Sequence, residues 1–126
     1  MSTNEDLISV VDDDPSVVEG VVSLMESVGY AVRGFCSAEE FLSCGPERTA
    51  CLILDVRMPG MSGIELQRRL TTVSDHTPII FITAHGEGNV PAEAMRQGAV
   101  AFLRKPFSQE SLLEAVRSAL ARRSVL

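Results

Sequence analysis

The stretch Cys51–Gly63, which reads CLILDVRMPGMSG, decides the fold. Its apolar residues 51–54 end on Asp55, and a turn that contains Pro59 and Gly60 follows. A short apolar run bounded by turn residues is typical of a buried parallel strand. In open α/β sheets the ligand crevice lies at the carboxyl ends of the strands. The stretch therefore places a carboxylate where such folds carry their chemistry.

Outward from this stretch, apolar runs alternate with helical patterns along the whole chain. Strands are predicted at residues 7–11, 30–35, 51–55, 79–83 and 100–103, and each is followed by a helix, the last over residues 109–123. This alternation requires parallel pairing through right-handed crossovers, with helices on both faces of the sheet. We predict one doubly wound α/β domain of (βα)5 type over residues 1–126, with its core at about 7–120. Residues 121–126 are either the end of the last helix or the start of a linker.

Capping residues mark where the helices begin. The pair Asp14-Pro15 is typical of an N-cap followed by the first helical residue. Two predicted capping boxes each place a glutamate three residues after a serine, at Ser37 with Glu40 and at Ser62 with Glu65. Ser108 is the predicted cap of the last helix. The predicted apolar face of the first helix comprises Val17, Val18, Val21, Val22, Leu24, Met25 and Val28.

Composition and charge exclude several classes of protein. The 126 residues are 45% hydrophobic, which is enough for one globular core. A net charge of −6 and the lack of a basic cluster beyond Arg122-Arg123 argue against direct nucleic-acid binding. No apolar run approaches the ~20 residues that span a bilayer, and the polar start does not resemble a signal peptide, so we expect a cytoplasmic protein without a membrane partner. The three cysteines lack CxxC spacing and are expected to be buried thiols.

Five polar side chains stand at the predicted carboxyl ends of the strands: Asp12, Asp13, Asp55, Thr83 and Lys105. Taken singly, each has an ordinary explanation, because aspartates often form turns and a lysine before proline is usually solvated. In a parallel sheet, however, these ends share one edge. The five residues together therefore indicate a single polar crevice.

Charge balance indicates what this crevice binds. Three carboxylates raise one another's pKa and destabilise the fold unless cations compensate them. One divalent cation and the Lys105 ammonium neutralise the three negative charges, and ligands that are all oxygen suit Mg²⁺, with Mn²⁺ as the alternative. A carboxylate beside Mg²⁺ and a lysine is a nucleophile suited to attack phosphorus, which gives an aspartyl phosphate.

The motifs VDDDP, LDVRMPGMSG, FITAHG and AVAFLRKPF, in this order and spacing, resemble the receiver domain of bacterial two-component response regulators, in particular the FixJ group. The resemblance extends from about Leu7 to Leu120. It implies the flavodoxin or CheY-like fold, with five parallel strands in the order 2-1-3-4-5.

The resemblance also implies a role for each matching residue. Asp55 would be the phosphoacceptor, and Asp12 and Asp13 would hold Mg²⁺ together with Asp55 and the backbone carbonyl of Arg57. Lys105 would pair with Asp55 or with a phosphoryl oxygen. A cis peptide bond between Lys105 and Pro106 would carry the lysine into the site.

Two further residues occupy the switch positions of the family. Thr83 would reach a phosphoryl oxygen, and Phe102 would turn inward once Thr83 moves. On sequence alone Phe102 is equally well a plain core aromatic. His85 is interpreted as a loop histidine that at most modulates the lifetime of the phosphoryl group.

The loop after the fourth strand departs from the family pattern. Its proline, Pro91, comes two residues later than in FixJ-like relatives, after Gly88 and Asn89. Because proline fits a helix only in its first turn, we predict a short fourth helix that begins near Val90. The departure leaves the dimer mode open.

The function that follows is a phosphorylation-dependent signalling switch rather than an enzyme. A sensor histidine kinase would donate the phosphoryl group, and the surface of helix 4, strand 5 and helix 5 would then change its preference for a homodimer or another partner. One alternative is a metal-dependent phosphatase that forms an aspartyl phosphate, but such enzymes carry a second aspartate where Arg57 stands. The other is a receiver-like module that accepts no phosphate. The kinase, the pathway, the phosphoryl lifetime and any DNA-binding output domain after Leu126 stay open.

Overall fold

Five parallel strands form a central sheet with helices on both faces. In the computed structural model, which describes residues 7–73, 76–84 and 90–124, the strand order is β2-β1-β3-β4-β5. The strands are β1 (Leu7–Val11), β2 (Ala31–Phe35), β3 (Cys51–Asp55), β4 (Ile79–Thr83) and β5 (Ala101–Arg104). The helices are α1 (Pro15–Ser27), α2 (Ala38–Cys44), α3 (Gly63–Thr72), α4 (Val90–Arg96) and α5 (Gln109–Ser124), with a 3-10 turn at Pro46–Arg48. The predicted topology is confirmed.

The burial of each strand follows its place in the sheet. Every residue of β3 and β4 is buried, whereas the edge strands β2 and β5 are more exposed. Alternate side chains of the strands enter two apolar clusters. One cluster includes Leu66 and Leu70 of α3, and the other includes Val21 of α1 and Leu112 of α5. Helices α1 and α5 therefore cover one face, and α2, α3 and α4 cover the other.

Most of the predicted caps are present. The Asp14 carboxylate accepts from the backbone N–H of Ser16 at 2.9 Å, and Ser62 and Glu65 form a complete capping box. The box predicted at Ser37 is only half formed. The Ser37 hydroxyl accepts from the Glu40 N–H, but the Glu40 carboxylate accepts from the N–H of residue 36 instead of the cap residue.

Three predictions about burial are wrong. Cys36 and Cys44 are exposed, because they lie just beyond β2 and at the last position of α2, outside both apolar clusters. Val28 is 49% exposed, because it caps the end of α1 beyond its last turn. Cys51 is buried as predicted, and burial raises the pKa of its thiol to about 12.

The start of α3 lies directly against the end of β3. A Cβ atom at Gly63 would overlap the carbonyl oxygen of Asp55. The backbones approach this closely because Gly63 N–H donates to the Val56 carbonyl at 2.9 Å. Glycine at position 63 therefore fixes how near α3 comes to Asp55.

We expect Gly63→Ala to lower the free energy of unfolding by about 2 kcal/mol or more, because backbone atoms must move to admit the methyl group. The matched control is Gly20→Ala in the middle of α1, where a Cβ atom meets nothing within 4 Å. The control should gain about 0.5–1 kcal/mol from lower conformational entropy of the unfolded chain. Urea denaturation measures both, and equal effects in the two variants would contradict the close approach.

In the described part of the chain no helix is long and apolar enough to cross a membrane.

Candidate functional site: an acidic cluster with one lysine

Three aspartates meet at the carboxyl edge of the sheet. Asp12 and Asp13 directly follow β1, and Asp55 is the last residue of the neighbouring strand β3. One carboxylate oxygen from each lies within 4.8 Å of the other two. Asp12 is fully buried, Asp55 is 5% exposed and Asp13 is exposed. The predicted convergence of these carboxylates is therefore present, with Asp13 on the solvent side.

Lys105 supplies the positive charge of the cluster. Its Nζ atom lies 2.8 Å from Oδ2 of Asp12 and 3.7 Å from Oδ1 of Asp55. The residue follows β5, its backbone N–H donates to the Thr83 carbonyl at 2.7 Å, and its peptide bond to Pro106 is cis, as the resemblance implied. The pairing differs in one respect from the expectation, because the shorter contact of Lys105 is with Asp12.

The cluster shifts the ionisation of two of its members. Burial, then repulsion by Asp12 and Asp13, raises the pKa of Asp55 from its ordinary 3.8 to about 7, although the charge of Lys105 acts in the opposite direction. Burial lowers the pKa of Lys105, but its hydrogen bond and charge interaction with Asp12 and the charge of Asp55 outweigh burial and raise it overall. Lys105 therefore stays charged at neutral pH, while Asp55 holds a proton to a much higher pH than an ordinary carboxyl group does.

This donor set fits a hard divalent cation. Three carboxylates are gathered around one point, and a single ammonium group leaves them with excess negative charge. Mg²⁺ takes oxygen ligands, typically one or two carboxylates with waters and phosphate oxygens. Burial and the like charges of Asp12 and Asp13 both raise the pKa of Asp55, and a bound cation would favour its ionised form.

Backbone hydrogen bonds hold the loop after β1, which carries Asp12. Oδ1 of Asp12 accepts from the Asp14 N–H at 2.9 Å, and the Asp12 N–H donates to the Phe35 carbonyl at 3.1 Å. Asp12 is thereby fixed on two sides.

The loop between β3 and α3 is held from α2. Oε2 of Glu39 accepts from the Met61 N–H at 3.2 Å and packs against Gly60, whose φ is +76°. Arg57, whose carbonyl was predicted to be a metal ligand, is exposed in the same loop. Sequence reasoning missed Glu39, because nothing local marks a contact across 22 residues.

The predicted switch residues lie on β4 and β5. Thr83 ends β4 and is 1% exposed. Phe102 is half-buried on the face covered by α2, α3 and α4, and its ring centroid is 5.9 Å from that of Phe81. Its orientation, which the sequence left open, is therefore toward this face.

The loop after β4 is described only in part. Helix α4 begins at Val90 and has seven residues, so the prediction of a short, late helix is confirmed. His85, Gly88 and Asn89 lie outside the described residues.

Comparisons with known proteins agree on one family. A model of the response regulator receiver domain matches residues 8–117. The response regulator protein TmoT of Ectopseudomonas mendocina is 46% identical over 121 residues, which cover 95% of this chain and 55% of TmoT. The chain thus spans about half the length of the curated relatives it matches.

Solved structures give the same result. The response regulator StyR superposes with a TM-score of 0.90 and 47% identity, over 96% of this chain and 62% of StyR. FixJ-N superposes with a TM-score of 0.87 and 37% identity, over 98% of this chain and all of that chain.

Proposed function

The chain belongs to the response regulator receiver domain family, and from this premise we propose that it switches a signal by accepting a phosphoryl group on Asp55. Receiver domains of two-component systems act through phosphorylation.

One observation carries the choice of Asp55. Two carboxylates of the cluster are buried, and both oxygens of Asp12 already accept hydrogen bonds, from the Asp14 N–H and from Lys105. Asp55 is the other buried carboxylate, and it lies 3.7 Å from Lys105 and within 4.8 Å of the two other aspartates. An Asp55 carboxylate oxygen attacks the phosphorus of a phosphohistidine, the phosphorus–nitrogen bond breaks, and the leaving imidazole takes up a proton. The product is an acyl phosphate with a charge near −2 where a carboxylate carried −1, so the surrounding cations must adjust.

Asp12, Asp13, Asp55 and the Arg57 carbonyl are the groups that would hold Mg²⁺. When bound, the metal would neutralise charge on the phosphoryl oxygens during transfer. Asp12 also orients Lys105, because it accepts from the Lys105 ammonium at 2.8 Å. Lys105 keeps its charge at neutral pH and would follow the added phosphoryl charge from Asp12 toward Asp55.

The partners follow from the same proposal. The donor is a sensor histidine kinase, and the responding surface is formed by α4, β5 and α5. That surface would change its preference for a second copy of the chain or for an output domain of a longer protein.

Incubation with acetyl phosphate tests the proposal. The protein should take up label in the presence of Mg²⁺ and lose this uptake when EDTA removes the metal. Mass spectrometry of the acid-stabilised peptide should locate the label in residues 51–57. Protein that stays unlabelled under these conditions, or that hydrolyses simple phosphate monoesters with turnover, would overturn it.

Thr83→Ala tests the route from the acceptor to the surface. We expect this variant to take up label at nearly the wild-type rate but to weaken the coupling between phosphorylation and partner preference by at least about fivefold, because no hydroxyl follows the phosphoryl group. Analytical ultracentrifugation or amide exchange on β5 and α5 reads out the coupling. Thr83→Ser keeps the hydroxyl and should retain the coupling. Full coupling in the alanine variant would contradict the role of Thr83.

A further inference from the structure

Gln67 is a polar side chain in the apolar interior of the domain. It lies on α3, it is 2% exposed, and its Nε2 donates to the backbone carbonyl of Ala94 in α4 at 3.2 Å. Ala94 is fully buried, and its carbonyl also accepts from the Ala99 N–H at 3.0 Å. Because a carbonyl accepts only from a donor, the amide must place Nε2 toward α4. Gln67 therefore ties the interior face of α3 to the last turn of α4.

The other end of this amide is different. The Oε1 atom of Gln67 is buried and accepts no hydrogen bond from the residues that the structure describes. A buried acceptor without a donor costs stability, and an apolar side chain of similar shape would avoid that cost. Gln67 thus makes its hydrogen bond to α4 while its buried Oε1 atom lowers the free energy of unfolding. A free acceptor beside α4 is also able to accept from that helix in a second arrangement.

Helix α3 connects this amide to the phosphorylation site. Its first residue, Gly63, lies against the Asp55 carbonyl, and Gln67 comes one turn later on the same side of the helix. Helix α4 has only seven residues, too few for a helix to be stable by itself, so its position depends on its contacts. A continuous path of contacts therefore leads from Asp55 through α3 to α4.

We propose that Gln67 is a positioning residue that couples Asp55 to α4 through α3, by a route separate from Thr83. The proposal rests on the function proposed above. In the unphosphorylated protein the Nε2 bond to Ala94 holds α4 in place. When Asp55 gains a phosphoryl group and α3 responds, this bond breaks and Oε1 accepts from a backbone N–H of the displaced α4 turn.

The test compares Gln67→Met with Arg69→Met. Methionine matches the length of glutamine and removes both ends of the amide, and Arg69 is an exposed position on the same helix. Amide hydrogen exchange is followed at Gly98 and Ala99, whose N–H groups close the end of α4. We expect about fivefold faster exchange at these two amides in Gln67→Met, as the loss of one net hydrogen bond predicts, and no change in Arg69→Met.

A purely structural role for Gln67 predicts a different pattern. If the amide only stabilised the fold, Gln67→Met would lower the urea midpoint and speed exchange throughout the core. We expect the midpoint to stay the same or rise, because the unpartnered acceptor is gone. We also expect the change in exchange that beryllofluoride and Mg²⁺ induce at α4 to shrink at least twofold, with label uptake from acetyl phosphate unchanged. Wild-type exchange at α4 together with a full response would overturn the proposal.

The wild-type protein supplies a second measurement if the variant fails to fold. The Nε2 protons of Gln67 should shift in the NMR spectrum and exchange faster with water when beryllofluoride and Mg²⁺ are added, because their acceptor is lost. Unchanged side-chain signals in a protein whose Asp55 region responds would overturn the coupling. A protein that takes up no label from acetyl phosphate would instead contradict the function proposed for Asp55.

Discussion

Asp55→Asn is expected to abolish uptake of label from acetyl phosphate with Mg²⁺, and at the same time to make the protein more stable. The amide has no anionic oxygen with which to attack phosphorus, so uptake should fall to the level of a sample without Mg²⁺. Undiminished labelling of this variant would end the assignment of Asp55. The gain in stability provides an independent signature, because a variant that lost activity through misfolding would lose stability as well.

The pH dependence of stability follows from the pKa of Asp55. In the folded, metal-free protein this pKa is about 7, whereas in the unfolded chain it returns to about 3.8. Between these values the folded protein holds a proton that the unfolded chain has released, so stability decreases as pH rises from about 4 to about 7 and then levels off. Asparagine cannot ionise, and the slope should be absent from the variant.

At pH 8 the variant should therefore exceed the wild-type protein in stability by on the order of 4 kcal/mol. Urea denaturation in the presence of EDTA, at pH 5 and at pH 8, measures this difference. Parallel pH profiles for the two proteins would contradict the raised pKa. Added Mg²⁺ should narrow the gap, because the cation stabilises the wild-type protein, which has three carboxylates in the cluster, more than the variant, which has two.

The second large effect concerns the affinity for Mg²⁺. Binding requires the ionised form of Asp55, so below pH 7 the apparent affinity should rise about tenfold for each pH unit and level off above pH 7. Calorimetry at pH 6 in two buffers of different protonation enthalpy should show the release of close to one proton for each ion bound. An affinity that does not vary between pH 5.5 and pH 8 would contradict this linkage.

Two neighbouring aspartates provide a matched pair for the same measurement. Asp13→Asn removes a carboxylate from the cluster and should weaken Mg²⁺ binding at least tenfold. Asp14→Asn changes the net charge by the same amount, but its oxygen still caps α1, and asparagine is as good a cap. The control should bind Mg²⁺ nearly as the wild-type protein does. Similar losses in both variants would mean that overall charge, rather than the cluster, binds the ion.

Local features of the sequence account for most of the fold. The strands that end at Val11, Asp55 and Thr83 begin and end as predicted, because each is an apolar run with a polar residue or turn directly after it. The cap at Ser62 depends on residues within one turn of it, which a reader of the sequence can see. The residues of the acidic cluster were also predictable, because the ends of parallel strands share one edge.

The wrong predictions share a cause. A capping box at Ser37 requires the Glu40 carboxylate to accept from the Ser37 N–H. The carboxylate accepts from the N–H of Cys36 instead. The exposed thiol of Cys36 depends on which element covers the end of β2. Both outcomes depend on how the chain packs between β2 and α2, although Cys36 and Glu40 are only four residues apart.

The sequence by itself determined the order of strands and helices along the chain, the residues near which the helices begin and end, and the set of charged groups at one sheet edge. It did so because hydrophobic period, turn residues and caps act over a few residues. Pairwise geometry was decided only by the tertiary structure. That Lys105 lies closer to Asp12 than to Asp55, that Glu39 holds Met61, and that Gln67 reaches Ala94 are contacts across 93, 22 and 27 residues. Such distances depend on how the helices pack against the sheet, and packing is a property of the whole core.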